Sequence, residues 1–164
     1  MTRGTATDIA AGARTATGQV APGFALCDQH GQRVRLDDFA GRAHVLVVFY
    51  PFAFSGICTK ELSQIAGKLD ALESRGVQVL AVSCDPMFTL RAWAEQQRFE
   101  FPLLSDFWPH GQTAQAYGVF DADNGMAARG SFLVDTAGVV RWSVVNPPGR
   151  PRDLRSYLEA VSRL

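Results

Sequence analysis

Two largely apolar runs of strand length do most to limit the folds open to this chain. They cover residues 44–50 and 77–83, and both are rich in β-branched or aromatic side chains. Such runs are typical of strands that are buried on both faces of a sheet. Between them, apolar residues recur at three- and four-residue steps, which predicts one helix from Cys58 to Gly76. This order of elements favours an α/β fold.

The segments on either side extend this pattern into a complete domain. Their apolar spacing and turn residues predict a hairpin over 24–36, a helix after Pro86, a strand over 103–105, a short helix over 113–117, a hairpin over 131–145 and a helix over 153–164. We therefore expect a thioredoxin-like α/β fold, in which a central mixed β-sheet has helices on both faces and an N-terminal β-hairpin at one end.

A chain of 164 residues fits one domain, which we place over residues 20–164. Residues 1–19 are rich in Thr, Ala and Gly without a continuous hydrophobic stretch, so we expect a flexible N-terminal extension and no secretory signal. The 16 basic residues balance the 16 acidic ones, which argues against partners such as nucleic acid or an anionic membrane. A cytoplasmic location is the default expectation.

The three cysteines do not form the pattern of a disulfide framework. Cys27, Cys58 and Cys84 are odd in number and widely spaced, and no CxxC pair is present for zinc or for thioredoxin-type exchange. The histidines also lack the spacing of a metal site, and no Gly-rich phosphate loop occurs. We therefore expect neither a metal nor a cofactor, and the simplest expectation for each cysteine is a buried, inert thiol.

Cys58 is the exception, because of its place in the chain. The Pro, Ser and Gly residues of segment 51–57 must end the preceding strand, so that Cys58 opens the following helix. Unpaired N–H groups and the helix dipole favour a thiolate at that end. Helix N-termini and nearby cations lower the pKa of cysteine thiols to roughly 3.5–7.5. Because nucleophilicity falls with pKa, orientation of a substrate must supply the remaining rate.

The spacing of Pro51, Ser55 and Cys58 resembles the PxxxTxxC signature of the peroxiredoxins, with Ser in the Thr position. The resemblance implies that Cys58 is the peroxidatic cysteine, which a hydroperoxide substrate oxidises to a sulfenic acid. It implies that the Ser55 hydroxyl hydrogen-bonds the thiolate and the peroxide, and that Pro51 shields the sulfur from water. From its position alone, Ser55 could equally be a helix cap.

A second motif supports the same resemblance. Segment 129–135 is similar to the RxxFxxD strand of this family, whose arginine reaches the active site. By this resemblance Arg129 holds Cys58 as a thiolate and stabilises charge while the O–O bond breaks. Glu61 resembles the carboxylate that orients the arginine, although a carboxylate in the first turn also favours the helix dipole without any catalytic task.

Segments 54–58, 101–111 and 117–120 resemble one group within the family, the one-cysteine alkyl hydroperoxide reductase E group of actinobacteria. This resemblance implies a thiol-dependent peroxidase that reduces hydrogen peroxide and organic hydroperoxides. An external thiol or a redoxin would recycle Cys58, with mycothiol and mycoredoxin as the reductants if the source is actinobacterial. The family also implies a homodimer.

Other roles for the cysteines stay open at this stage. Cys27 and Cys84 are the two candidates for resolving the sulfenic acid. Neither matches the usual resolving positions of the family, and position 63 is Ser. A thiol–disulfide oxidoreductase on the same fold would need a second cysteine at position 55, which is also Ser. A non-enzymatic redox sensor would require slow turnover with every thiol donor.

Overall fold

Residues 14–164 are described by the computed structural model, and strands alternate with helices along most of this range. The strands are β1 Ala25–Cys27, β2 Arg33–Arg35, β3 His44–Phe49, β4 Val77–Ser83, β5 Leu103–Ser105, β6 Phe120–Asp121, β7 Met126–Ala127, β8 Arg129–Val134 and β9 Val140–Asn146. The helices are α1 Gly56–Ala66, α2 Leu69–Glu73, α3 Met87–Gln97, α4 Gln112–Ala116 and α5 Leu154–Ser162, and a 3₁₀ turn covers Leu36–Phe39.

Seven of the strands form one mixed sheet in the order β2-β1-β5-β4-β3-β8-β9. Strands β3, β4 and β5 are parallel, and the other pairings are antiparallel. The predicted mixed sheet and the N-terminal hairpin of β1 and β2 are therefore confirmed. Because β3, β4 and β5 run in one direction, the three segments that follow them lie along the same edge of the sheet. We call this edge the carboxyl edge.

Both faces of the sheet are covered, as the apolar runs predict. Alternate residues of β3 point in opposite directions, so that Leu46 and Val48 pack in one core cluster while Val45 and Val47 pack in the other. The first cluster includes residues of helices α1, α3 and α5, and the second includes Ala114 of helix α4. Helices therefore lie on both faces, which is the thioredoxin-like α/β arrangement.

Two local features differ from the sequence prediction. The single helix expected from Cys58 to Gly76 is two helices, which are separated at Gly67 and Lys68. The apolar residues continue in helical register across this break, so their spacing does not reveal it. The hairpin of β6 and β7 was also missed, since strands of two residues are too short to show a period.

The amino-terminal part of the described chain is bonded to the domain. The Gly18 N–H donates to the Val140 carbonyl at 2.8 Å, and Val20 forms an isolated bridge with Val139. The predicted flexible extension over residues 1–19 falls mostly outside the described residues, and the domain start at residue 20 stays a prediction. Within residues 14–164, no helix combines the length and the apolar character needed to cross a membrane.

Close packing of β8 against the segment before β6 gives a test of the fold. A Cβ atom at Gly130 would lie 2.8 Å from Cγ1 of Val119, which is fully buried and stiff about χ1. We expect Gly130→Ala to lower the free energy of unfolding by roughly 1–3 kcal/mol, measured by urea denaturation. Gly23→Ala is the matched control, because a Cβ there meets nothing within 4 Å. Equal stability of the two variants would contradict the packing.

Candidate active site

Cys58 lies in the first turn of helix α1, directly after the segment that ends strand β3. The first backbone bond of the helix runs from the Thr59 N–H to the Ser55 carbonyl at 2.9 Å, so the N–H groups before Thr59 have no intrahelical partner. Cys58 is fully buried. It shares the inner face of α1 with Glu61, one turn later, because residues three apart are neighbours on a helix.

The segment between β3 and α1 closes over this site, and we call residues 51–55 the Cys58 loop. Pro51 is buried, as its predicted shielding role requires. Phe54 adopts φ 68°, a left-handed conformation that costs a non-glycine residue about 1–3 kcal/mol. Its ring rests 6.3 Å from that of Trp93 in the core, and the Ala53 N–H donates to Asp85 Oδ2 at 2.8 Å. These tertiary contacts hold the strained loop in place.

Arg129 reaches Cys58 from the neighbouring strand. Strand β8 pairs Ser131 with Val48 of β3, so its first residue lies beside the end of β3. The Arg129 side chain is buried, and Nη1 donates to the Cys58 sulfur at 3.2 Å. The same nitrogen bonds Glu61 Oε1 at 2.5 Å, and Nε donates to the Pro148 carbonyl at 2.5 Å. The structure thus brings together Cys58, Arg129 and Glu61.

Arg152, which the sequence reasoning missed, is the second buried arginine of the site. Its backbone N–H and Nε donate to Glu61 Oε2 at 2.7 and 2.9 Å, and Nη2 donates to Oε1 at 3.1 Å. Nη1 donates to the Phe49 and Gly130 carbonyls at 2.7 and 3.0 Å. In sequence, Arg152 lies among Pro and Arg residues before α5, where no pattern separates it from a solvated loop residue.

The charged side chains beside the Cys58 sulfur carry an excess of positive charge. Burial alone would raise the pKa of Glu61, but the hydrogen bonds and charge of Arg152, together with the charge of Arg129, outweigh it and lower that pKa. Glu61 is therefore a carboxylate at neutral pH. Two arginines and one carboxylate carry a net charge of +1, counted as +2 and −1. A thiolate on Cys58 would bring this group of four side chains to neutrality.

The Ser55 hydroxyl makes neither of the contacts that its sequence position suggested. Ser55 occupies the N-cap position of α1, but its side chain accepts no capping hydrogen bond. Its Oγ is buried without a hydrogen-bond partner, so the structure contains no bond from it to the Cys58 sulfur. The Ser55 carbonyl accepts instead, from Thr59 N and Oγ1. A buried hydroxyl without a partner is unusual, and a bound ligand is one explanation for it.

The other two cysteines are separate from this arrangement. All three thiols are free. Cys84 is buried at the end of β4, and burial, with the charges of Asp106 and Asp85, raises the pKa of its thiol to about 12. Cys27 is half-buried in strand β1, which lies next to the edge strand β2. Among residues 14–164, no group of three or more His, Cys, Asp or Glu side chains is arranged to hold a metal ion.

Comparison with known proteins identifies the family. The model of the AhpC/TSA family matches residues 17–143. Alkyl hydroperoxide reductase E of Mycobacterium tuberculosis (strain H37Rv) is 46% identical over 147 residues, which cover 90% of this chain and 96% of that protein. The chloroplastic 2-Cys peroxiredoxin BAS1 of Hordeum vulgare is 31% identical over 157 residues, covering 90% of this chain and 74% of the relative.

Solved structures agree with this assignment. Enterococcus faecalis AhpC superposes with a TM-score of 0.83 at 28% identity, covering 91% of this chain and 92% of that one. The reduced 2-Cys peroxiredoxin of Plasmodium vivax superposes with a TM-score of 0.82 at 28% identity, covering 90% of this chain and 81% of that one. The chain therefore belongs to the AhpC/TSA family, the peroxiredoxins, and is a thiol-dependent peroxidase.

Proposed function

We propose that the Cys58 thiolate attacks the terminal oxygen of hydrogen peroxide or of an organic hydroperoxide. An S–O bond forms as the O–O bond breaks, Cys58 is oxidised to a sulfenic acid, and the departing oxygen takes a proton and leaves as water or an alcohol. The observation that carries this proposal is the 3.2 Å bond from Arg129 Nη1 to the Cys58 sulfur. This bond places a positively charged donor beside the sulfur, which is the atom that carries the negative charge at the start of the reaction.

The surrounding side chains have separate tasks in this proposal. Arg129 favours the thiolate and then stabilises charge that moves onto the peroxide oxygens. The unpartnered Ser55 hydroxyl binds the peroxide, while buried Pro51 keeps water from the sulfur. Glu61 orients Arg129, and Arg152 holds Glu61 in turn. Because both arginines are fixed before substrate arrives, little reorganisation is needed during the reaction.

The sulfenic acid is recycled by an external thiol or redoxin in this cycle. The thiol attacks Cys58 to form a mixed disulfide and release water. A second thiol then attacks the sulfur of the first thiol, forms a disulfide with it and releases the Cys58 thiol. The high pKa of the Cys84 thiol makes it a poor internal nucleophile, which supports an external reductant. Similarity to a mycobacterial alkyl hydroperoxide reductase E makes mycothiol with mycoredoxin our proposed reductant. We also propose a cytoplasmic location.

We further propose that the protein is a homodimer whose subunits meet at the carboxyl edge. Large apolar side chains are exposed on the segments that follow β3, β4 and β5. They are Phe52, Phe54, Phe88, Phe107 and Trp108, with exposed fractions of 43, 51, 68, 46 and 82%. Exposed apolar side chains concentrated on one edge are typical of interaction surfaces. A second copy of the chain would cover them.

The first experiment tests Cys58 as the reacting group. Mixing reduced protein with hydrogen peroxide in a stopped-flow fluorimeter should give a fast, second-order change in tryptophan fluorescence. We expect Cys58→Ser to abolish this change because it removes the nucleophile, whereas Cys27→Ser and Cys84→Ser are the matched controls and should retain it. Mass spectrometry should find one trapped sulfenic acid, on Cys58. A wild-type rate no faster than that of a small free thiol would overturn the proposed peroxidase site.

The lowered pKa of Glu61 predicts how stability depends on pH. Ionised Glu61 stabilises the folded protein fully above about pH 4.3, the pKa of a free glutamate. This stabilisation is lost as the pH falls through the lower pKa that Glu61 has in the folded protein. We expect Glu61→Gln to cost roughly 3 kcal/mol of unfolding free energy at pH 7. The difference in unfolding free energy between Glu61→Gln and wild type should become smaller when urea denaturation is repeated below pH 4.

Asp70→Asn is the control for this measurement, since Asp70 is an exposed carboxylate of helix α2. It should change stability little at either pH. A Glu61→Gln deficit that stays constant down to pH 2 would contradict the proposed ionised pair.

The oligomeric state tests the carboxyl edge. We expect the wild type to sediment as a dimer in analytical ultracentrifugation and Phe88→Glu to sediment as a monomer, because a charge there would be buried without a partner. Val20→Glu is the matched control for Phe88→Glu. Val20 is also exposed, at 74%, but it forms a bridge with Val139 at the opposite end of the sheet. It should remain a dimer. Dissociation of both variants, or a monomeric wild type, would refute the assignment.

A further inference from the structure

Asp85 connects the end of strand β4 to the Cys58 loop. Its Oδ2 accepts the Ala53 N–H at 2.8 Å and the Ser83 hydroxyl at 2.7 Å. Ala53 lies in the middle of the Cys58 loop, five residues before the cysteine. A carboxylate that accepts a backbone N–H makes a charge-assisted bond, which is stronger than one between neutral groups. The Asp85 side chain, from the segment between β4 and α3, therefore fixes the centre of the Cys58 loop.

Asp85 is itself well anchored. Its carbonyl accepts the Ser105 hydroxyl at 2.6 Å, and its own N–H donates to Ser83 Oγ at 3.3 Å. Ser83 and Ser105 are paired across strands β4 and β5. Asp85 is thus bonded to two adjacent strands of the central sheet, and it connects the Cys58 loop to that sheet.

Within one subunit, few other contacts hold the loop in this shape. Phe54 carries the left-handed strain described above, and the local backbone bond from Ser55 N–H to the Phe52 carbonyl is long, at 3.4 Å. Loss of the bond from Ala53 to Asp85 would leave the Phe54 ring against Trp93 as the main tertiary contact of the strained residue. The strain then favours movement of the loop away from the core.

The two halves of the cycle place opposite demands on this loop. Peroxide reduction needs the sulfur, the Arg129 donor and the Ser55 hydroxyl in fixed positions. Attack by an external thiol needs contact with the Cys58 sulfur, which is fully buried when the loop is closed. A group that sets the balance between the closed and open loop therefore affects the two steps in opposite directions.

We propose that Asp85 is a positioning residue that latches the Cys58 loop closed for reaction with peroxide and limits access of bulkier reagents to the sulfur. The inference rests on the proposed role of Cys58 as the reacting thiol. Asp85 touches neither the sulfur nor Arg129 in the hydrogen-bond network; it acts through Ala53. Its chemical requirement is an acceptor oxygen at the position of Oδ2.

The test compares two reactions of the same thiol in Asp85→Ala. All proteins carry Cys27→Ser and Cys84→Ser, so that Cys58 is the only thiol measured. We expect the second-order rate constant with hydrogen peroxide to fall about tenfold or more, because the reacting groups lose their alignment. The rate of Cys58 alkylation by iodoacetamide should rise at the same time, since the opened loop exposes the sulfur. Disruption of the Arg129 contact to the sulfur without opening of the loop would lower both rates.

Asp85→Asn should restore both rates most of the way to wild type, because its side-chain oxygen still accepts the Ala53 N–H. Ser83→Ala removes one bond to the carboxylate and should shift both rates in the same directions as Asp85→Ala, by a smaller factor. This variant tests the role of Asp85 if Asp85→Ala does not fold. Parallel loss of both reactions, or wild-type values for both, would overturn the role of Asp85. Slow peroxide reaction of the wild type would instead overturn the proposed role of Cys58.

Discussion

The carboxylate of Glu61 between two buried arginines is the interaction on which the site depends. Glu61 belongs to helix α1, Arg129 to strand β8 and Arg152 to the segment before helix α5, so the group joins three parts of the chain. Arg152 extends the connection to carbonyls of β3 and β8. Burying charges is costly unless each one is paired and hydrogen-bonded. Here Arg152 donates from all three of its side-chain nitrogens, and Arg129 donates from Nε and Nη1.

The excess positive charge of this group supports the proposed reaction of Cys58 as a thiolate. Two cations share one carboxylate, and Nη1 of Arg129 donates both to that carboxylate and to the Cys58 sulfur. In the proposed reaction, the same side chain therefore stabilises first the thiolate and then the oxygen atoms as they gain charge. Catalysis of this kind relies on prior arrangement of donors and needs neither metal nor cofactor in the proposed steps.

Much of the architecture could be read from the sequence because its main signals are local. The buried strands β3 and β4, the closing hairpin and the position of Cys58 at a helix start all follow from apolar periodicity and turn residues. The break between α1 and α2 left no trace, since Leu62, Leu69 and Leu72 keep one buried face across it. Strands β6 and β7 are too short to carry a period.

The site was predictable only where a motif marks it. Cys58, Arg129 and Glu61 are close in space as the family resemblance implied, although 71 residues separate Cys58 from Arg129. Arg152 and Asp85 belong to the same region but act through bonds that only the folded chain reveals, from Arg152 to Glu61 and from Asp85 to Ala53. Ser55 shows the converse: its position suggested a contact, while its hydroxyl is free of protein partners.

In the proposed reaction, Arg129, fixed by Glu61, activates Cys58 toward peroxide. The most direct measurement is the second-order rate constant of reduced Arg129→Lys and Arg129→Gln with hydrogen peroxide, each compared with wild type. Lysine keeps the charge but not the planar group that reaches the sulfur, Glu61 and the Pro148 carbonyl together. We predict a loss of about 10²–10³ for glutamine and a smaller but clear loss for lysine. Wild-type rates in both variants would contradict this role of Arg129.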